Sequence, residues 1–305
     1  MITRVFNKSK PINFIIVLAF VLTVFVITNF NTIFIDIEGV LFTLSKLILI
    51  VFLVFLVDFI VSKNNLTQGN SYAIMTFGIL LAIFPQVWNN IDVLLSNLFI
   101  VFALRRIISL SSMKNIKKKL YDASFWIALA TLFYFWSILF FAIVIVALIY
   151  YSQNDIKNII IPIVGIATVA VFLLVYNILS YDVYIRPSNF ERYASLDYTA
   201  YNSIEFITKL TVLFSSFVWT LIFFFRSLPE KNKKMRPSFF IIAWASIIAI
   251  LIAIISPLKN GSEFIFFLAP FSIILGNYIE AISEHWFKEI FVGILIITPL
   301  IGLFL

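Results

Sequence analysis

The chain has 305 residues, is 62% hydrophobic and only 12% charged, and has a mean hydropathy of +1.08. A soluble domain carries about 25% charged residues, so lipid is the solvent for most of this chain. Cysteine is absent, which excludes disulfides, thiolate metal sites and Cys nucleophiles, and a single histidine, His285, disfavours His-based triads and multi-His metal sites.

The net charge of +7 does not mark a nucleic-acid binder, because the cations cluster at the ends of apolar stretches, as membrane insertion requires. The expected fold is all-α: a single integral membrane domain over residues 1–305, a polytopic helical bundle of about eleven spans. The abundant phenylalanine, 36 residues, reads as bulk facing lipid.

Residues 1–10 are basic and lead into an apolar run from Ile12. That pattern is shared with signal peptides, but no small-residue cleavage site follows, so 12–28 is expected to be a retained first span. Arg4, Lys8 and Lys10 then place the N-terminus in the cytoplasm. A first outer loop, 29–39, holds Asp36 and Glu38. Spans follow at 40–61, at 71–83 (short, ending before Pro85) and at 93–110, with an outer loop at 86–92. The last of these runs into a basic cluster, Arg105, Arg106, Lys114, Lys117, Lys118 and Lys119, which is cytoplasmic by the same rule.

Residues 121–151 are apolar apart from Asp122. As one helix they would be roughly 46 Å long, against a hydrocarbon core of about 30 Å. Charge decides how they are counted. The segment 226–236 carries Arg226, Lys231, Lys233, Lys234 and Arg236 against Glu230, so it is cytoplasmic. The segment 180–205, with Asp182, Glu191, Asp197 and Glu205 against Arg186 and Arg192, is then external. With one span at 158–179, residues 121–151 must cross twice, broken near 132–134. Spans at 206–225, 238–255, 264–282 and 289–304 complete the bundle and put the C-terminus in the periplasm. This arrangement leaves only Lys46, Arg186, Arg192, Lys209 and Lys259 off the cytoplasmic side.

No internal repeat, GxxxG, Walker loop or Rossmann glycine pattern is present, and the eight glycines are isolated. Midspan charges are scarce, which disfavours a transporter.

The chemistry-bearing candidates lie on the outer side. Asp36 and Glu38 are two carboxylates that point the same way in an extended loop. They suit a general base or a divalent-cation site; a solvated, translocated loop that avoids Lys and Arg has the same composition. Lys46, inside the second span, either snorkels to the interface or neutralises an acid or a lipid phosphate. Arg186 and Arg192, among aromatics that include Tyr184 and Tyr193, suit phosphate and sugar recognition; an interfacial aromatic belt reads the same way. Lys259, in the turn at 257–263, is either structural or a phosphate ligand.

Two stretches carry a resemblance. NLFIVFALRRIISL with KKKLYDASFWIALATLFYFWSILFFAIVIVALIYY spans 97–151, and EFIFFLAPFSIILG spans 263–276. With the basic N-terminus they resemble a family of multi-pass inner-membrane proteins from Bacteroidota, over most of the chain. They are also distantly similar to GT-C glycosyltransferases, integral enzymes that use polyprenyl-phosphate-linked sugars. In that superfamily an Arg-ended span leads to a short helix and a long one. An acidic pair, here Asp36 and Glu38, sits in the first external loop, and a late span opens on a basic residue and F-L-x-P, here Lys259 and Phe267 to Pro270.

The resemblance implies a cell-envelope glycosyltransferase in the bacterial inner membrane. Asp36 or Glu38 would be its base. Lys46, Arg186, Arg192 and Lys259 would hold the lipid phosphate, and aromatics such as Tyr184 and Tyr193 the sugar. The alternative is a non-catalytic membrane subunit that holds protein partners in an envelope complex.

Overall fold

The computed structural model describes residues 2–33, 37–151, 155–184, 193–257 and 259–304. Its helices are α1 (Ile2–Phe6), α2 (Pro11–Ile33), α3 (Ile37–Lys63), α4 (Tyr72–Ile83), α5 (Ile91–Ile108), α6 (Ile116–Phe133), α7 (Phe141–Tyr150), α8 (Ile156–Tyr181), α9 (Ile204–Ser227), α10 (Arg236–Ile255), α11 (Ile265–Ala281) and α12 (His285–Phe304). No strand occurs among the described residues. In a hydrocarbon solvent a lone segment satisfies its backbone only as a helix, and every apolar stretch singled out above is helical.

Seven helical stretches among the described residues are long and apolar enough to cross a membrane: Pro11–Phe30, Ile37–Lys63, Ile91–Ser112, Ile156–Tyr181, Ile204–Glu230, Arg236–Ile255 and Ser262–Ala281. The helix α4 has 12 residues, and Phe135–Tyr150 is likewise a shorter apolar helical stretch.

Local chemistry sets the boundaries. Asn90 caps α5, its side-chain oxygen accepting from the N–H groups of Asp92 (3.0 Å) and Val93 (3.2 Å). Ser203 caps α9 by accepting from Phe206 N–H (3.2 Å), and Asp155 caps α8 by accepting from Lys157 N–H (3.0 Å). Pro85 opens a 3-10 turn, Pro85–Trp88, that separates α4 from α5.

Residues 121–151 do break. α6 ends at Phe133, Tyr134 is extended (φ −144°, ψ 108°), and a 3-10 turn, Phe135–Phe140, leads into α7. The Tyr134 hydroxyl donates to Ser256 at the C-terminal end of α10. The Tyr151 hydroxyl instead meets Ser238 Oγ (2.9 Å), near the start of α10, and Ile108 O (3.3 Å), at the end of α5. The chain therefore doubles back between Tyr134 and Tyr151.

The core is built around α11, which is buried at every residue from Ile265 to Ile279. It packs on α4, α9 and α10, and α4 is buried over its whole length. Both helices are apolar all round, as central positions require. Phe77, Phe84, Phe140, Phe224, Phe239, Phe266, Phe267 and Phe271 are all fully buried. Phenylalanine thus serves as core as much as lipid-facing bulk, because the edges and faces of Phe217, Phe267 and Phe271 interlock at centroid distances of 4.8–5.4 Å.

Carboxylates tie one end of the bundle. Glu289 accepts from Ile2 N (3.0 Å), Thr3 N (3.1 Å) and Thr3 Oγ1 (2.7 Å), so α12 holds the first turn of the chain. Glu280 accepts from Gln68 N (2.9 Å) and Asn70 Nδ2 (2.6 Å) and lies 3.8 Å from Lys231 Nζ. The basic residues at the ends of α3 and α5 lie at this end too.

Candidate functional site

The opposite end gathers the C-terminal ends of α4 and α10, the N-terminal ends of α5, α9 and α11, and the segment 193–201. Its centre is Glu263, in a 3-10 turn that heads α11 and wholly without exposed surface. Glu263 Oε1 accepts from the Tyr201 hydroxyl and from Gly261 N–H (3.2 Å). Glu263 Oε2 and the nearby Gln86 Oε1 have no hydrogen-bond partner among the described residues.

Gly261 has φ +90°, and a Cβ there would lie 3.1 Å from Gln86 Cβ and from the Phe206 ring. Glycine is needed on both counts. Tyr201 is packed between Phe206 (5.4 Å) and Phe264 (5.9 Å).

Lys259 lies beside this centre. Its Nζ donates to the carbonyls of Ala253 (2.8 Å) and Ile254 (2.6 Å) and sits 4.6 Å from the Tyr198 ring centroid. It caps the negative end of α10, and burial pushes its ammonium below the usual lysine range. Lys46 is likewise engaged: its Nζ donates to Asn89 O (3.3 Å) and lies 4.4 Å from the Phe42 ring. Both lysines are candidates for a lipid phosphate, and both donate to backbone carbonyls.

Glu38 is exposed at the start of α3. Tyr184 and Tyr193 are also exposed, at 75% and 63%, and the Tyr184 carbonyl accepts from Asn177 Nδ2 (3.3 Å). Asp36, Arg186 and Arg192 lie outside the described residues. The structure therefore gathers Lys259 with Tyr198, Tyr201 and Glu263; among the described residues no hydrogen bond or ion pair joins Glu38, Tyr184 or Tyr193 to them.

Sequence reasoning missed a second feature at this end. A cavity of about 370 Å³ lies between α2, α4, α9 and α12, lined by Phe20, Val24, Ile27, Ala82 and Ile296 among others. Two threonines in its wall spend their hydroxyls on their own helix, Thr23 on Ala19 O (2.8 Å) and Thr28 on Val24 O (3.0 Å), so the wall presents methyls. The charges lining it are Glu205 and Lys209, an ion pair one helical turn apart. Lys209 is only 4% exposed, and Pro85, which also lines the cavity, precedes Gln86 of the Glu263 centre. The signal in the sequence was a Glu-x-x-x-Lys pair in the first turns of an otherwise apolar span.

Together these features form an apolar cleft with one ion pair, its lysine buried and its glutamate partly exposed, next to a buried carboxyl–tyrosine pair. The chain belongs to a family of unknown function, DUF6427, whose model matches residues 1–304. No curated protein and no solved structure matches it.

Proposed function

We propose that this member of the DUF6427 family takes a long-chain phosphate lipid from the outer leaflet of the bacterial inner membrane. In this reading the lipid is a polyprenyl-phosphate-linked sugar, and the protein is a GT-C-like glycosyltransferase of envelope glycan or glycoprotein assembly. The observation that carries the reading is the cleft bounded by α2, α4, α9 and α12. Its wall suits an isoprenoid or acyl chain, and Lys209, paired with Glu205, would hold a phosphate in place of that partner.

The proposed topology has about eleven crossings, with the N-terminus cytoplasmic and the C-terminus periplasmic. The break at Tyr134 and the return to Ile108 support the double crossing of residues 121–151. They also support placing the cleft and the Glu263 centre on the outer side. The resemblance to Bacteroidota inner-membrane proteins agrees with this placement.

In the reaction so proposed, an acceptor hydroxyl attacks the anomeric carbon. Its proton passes to Asp36 or Glu38, the bond from that carbon to the phosphate oxygen breaks, and polyprenyl phosphate leaves. A divalent cation held by the same two carboxylates would assist the leaving phosphate.

Replacing both acids, Asp36→Asn with Glu38→Gln, is expected to abolish envelope glycan assembly. Lys209→Met should lower it about tenfold, the order expected for one lost charge-assisted hydrogen bond, while Lys209→Arg keeps it. A glycan profile unchanged in all three variants would sink the proposal.

A second reading is a non-catalytic subunit, favoured by α8. Only 17% of its most apolar window is buried, and Ile159, Ile160, Ile163 and Val164 are exposed on it, a surface that a membrane-protein partner fits as well as lipid does. Co-purification of a stoichiometric partner lost on Ile163→Lys would favour this reading.

A further inference from the structure

At the end of the bundle opposite the cleft, a cavity of about 470 Å³ opens between the C-terminal ends of α3 and α5, the start of α6 and the approach to α10. Lys63, Arg105, Arg106, Lys119 and Lys234 all line it, together with Ser109, Ser111 and Ser112, and among the described residues no carboxylate does; the Ser109 hydroxyl donates to Arg106 O (2.8 Å). We propose that this cavity binds a multiply charged phosphate group, a function independent of the lipid cleft.

Two cations are held in position and three are left unpaired. Arg106 Nη2 lies 3.0 Å from Asp122 Oδ2, an ion pair whose angle does not meet hydrogen-bond geometry. Lys119 Nζ donates to Ser109 O and to Ser112 Oγ (2.7 Å), which folds the 109–112 turn against α6. Arg105 lies with its guanidinium 4.7 Å from the Phe59 ring centroid. That contact anchors the guanidinium, and no side-chain acceptor meets it among the described residues. Lys63 and Lys234 are exposed and have no side-chain partner among the described residues.

Like charges brought to one cavity repel, and membrane insertion does not require the arrangement. Lys114, in the approach to α6, and Lys117 and Lys118, in its first turn, are exposed and already satisfy the positive-inside rule. The loops that close the cavity also hold non-glycine residues in the left-handed region, Asn65 (φ 49°), Met113 (φ 55°) and Asn115 (φ 52°). Guanidinium, ammonium and hydroxyl donors converging without an acid form the donor set of a phosphate site. The phosphate has two sources, the headgroup of an inner-leaflet lipid or a soluble phosphate compound.

The full chain in phosphatidylcholine nanodiscs separates them. Inorganic pyrophosphate is titrated in solution, and phosphatidic acid is incorporated in the disc, with thermal unfolding and calorimetry as readouts. Stabilisation by pyrophosphate, beyond that of chloride at equal ionic strength, assigns a soluble ligand. Stabilisation by phosphatidic acid alone assigns a headgroup.

The pair Lys63→Gln with Lys234→Gln should weaken the effective ligand about tenfold or more. The pair Lys117→Gln with Lys118→Gln removes the same charge outside the cavity and should leave affinity unchanged. Neither variant touches a hydrogen bond that holds the fold, so the unliganded midpoint reports folding separately. No stabilisation by either ligand, or equal weakening by both pairs, overturns the proposal.

Discussion

Glu263→Leu is expected to prevent accumulation of folded protein, whereas Glu263→Gln is expected to behave almost as the parent chain. Leucine matches the volume but leaves the Tyr201 hydroxyl and Gly261 N–H without the acceptor they share. Each orphaned buried donor costs about 1–3 kcal/mol. Two together cost about 2–6 kcal/mol, against a usual total stability of about 5–15 kcal/mol. The glutamine amide keeps the shape and one acceptor oxygen. Tyr201→Phe should fall between them, since it removes one donor and leaves the Gly261 bond. Heating the detergent-solubilised variants and following the monodisperse peak by gel filtration gives the order. Equal losses for Glu263→Leu and Glu263→Gln would show that the carboxylate does more than accept these two bonds.

Gly276→Leu is expected to be as severe, for a different reason. A Cβ at Gly276 would lie 2.8 Å from Ala73 N and 2.9 Å from Ala73 Cα. Those are backbone atoms of α4 and cannot swing aside. The close approach also carries the hydrogen bond from Thr76 Oγ1 to Ser272 O (3.0 Å), which joins α4 to α11. Even Gly276→Ala should cost about 1–3 kcal/mol by overpacking, and the branched leucine should separate the two most buried helices. Gly293→Ala is the contrasting case. Nothing lies within 4 Å of its added methyl, so the variant should be neutral or gain up to about 1 kcal/mol of helix propensity. Thermal midpoints of the three variants test the contrast, and a stable Gly276→Leu chain would contradict the packing described.

The contrast between Gly276 and Gly293 marks the limit of the sequence. Both are isolated glycines in apolar helices, and only the neighbour across the interface tells them apart. The positions of the helices were legible, because lipid demands long apolar runs with cations at their ends. The break near Tyr134 was legible from the length of the stretch together with the charges of the segments that flank it. Pairings between distant segments were not. Nothing local in Tyr201 announces Glu263, 62 residues away, and nothing in Glu289 announces the N–H groups of Ile2 and Thr3.

The geometry of the candidate site was not legible. Lys46 and Lys259 were singled out for their charge, yet carbonyls of Asn89, Ala253 and Ile254 occupy them. Lys209 passed as one more outer cation, although it is the one set into an apolar cleft.

That cleft is tested most directly by asking what touches it in the membrane. The chain contains no cysteine, so a single Ile27→Cys places a benzophenone in the cleft, and Ile160→Cys places one on the exposed face of α8. After irradiation in native membranes, mass spectrometry of the adducts should find a long-chain phosphate lipid enriched at position 27 and ordinary phospholipid at position 160. The same bulk phospholipids at both positions would contradict the account.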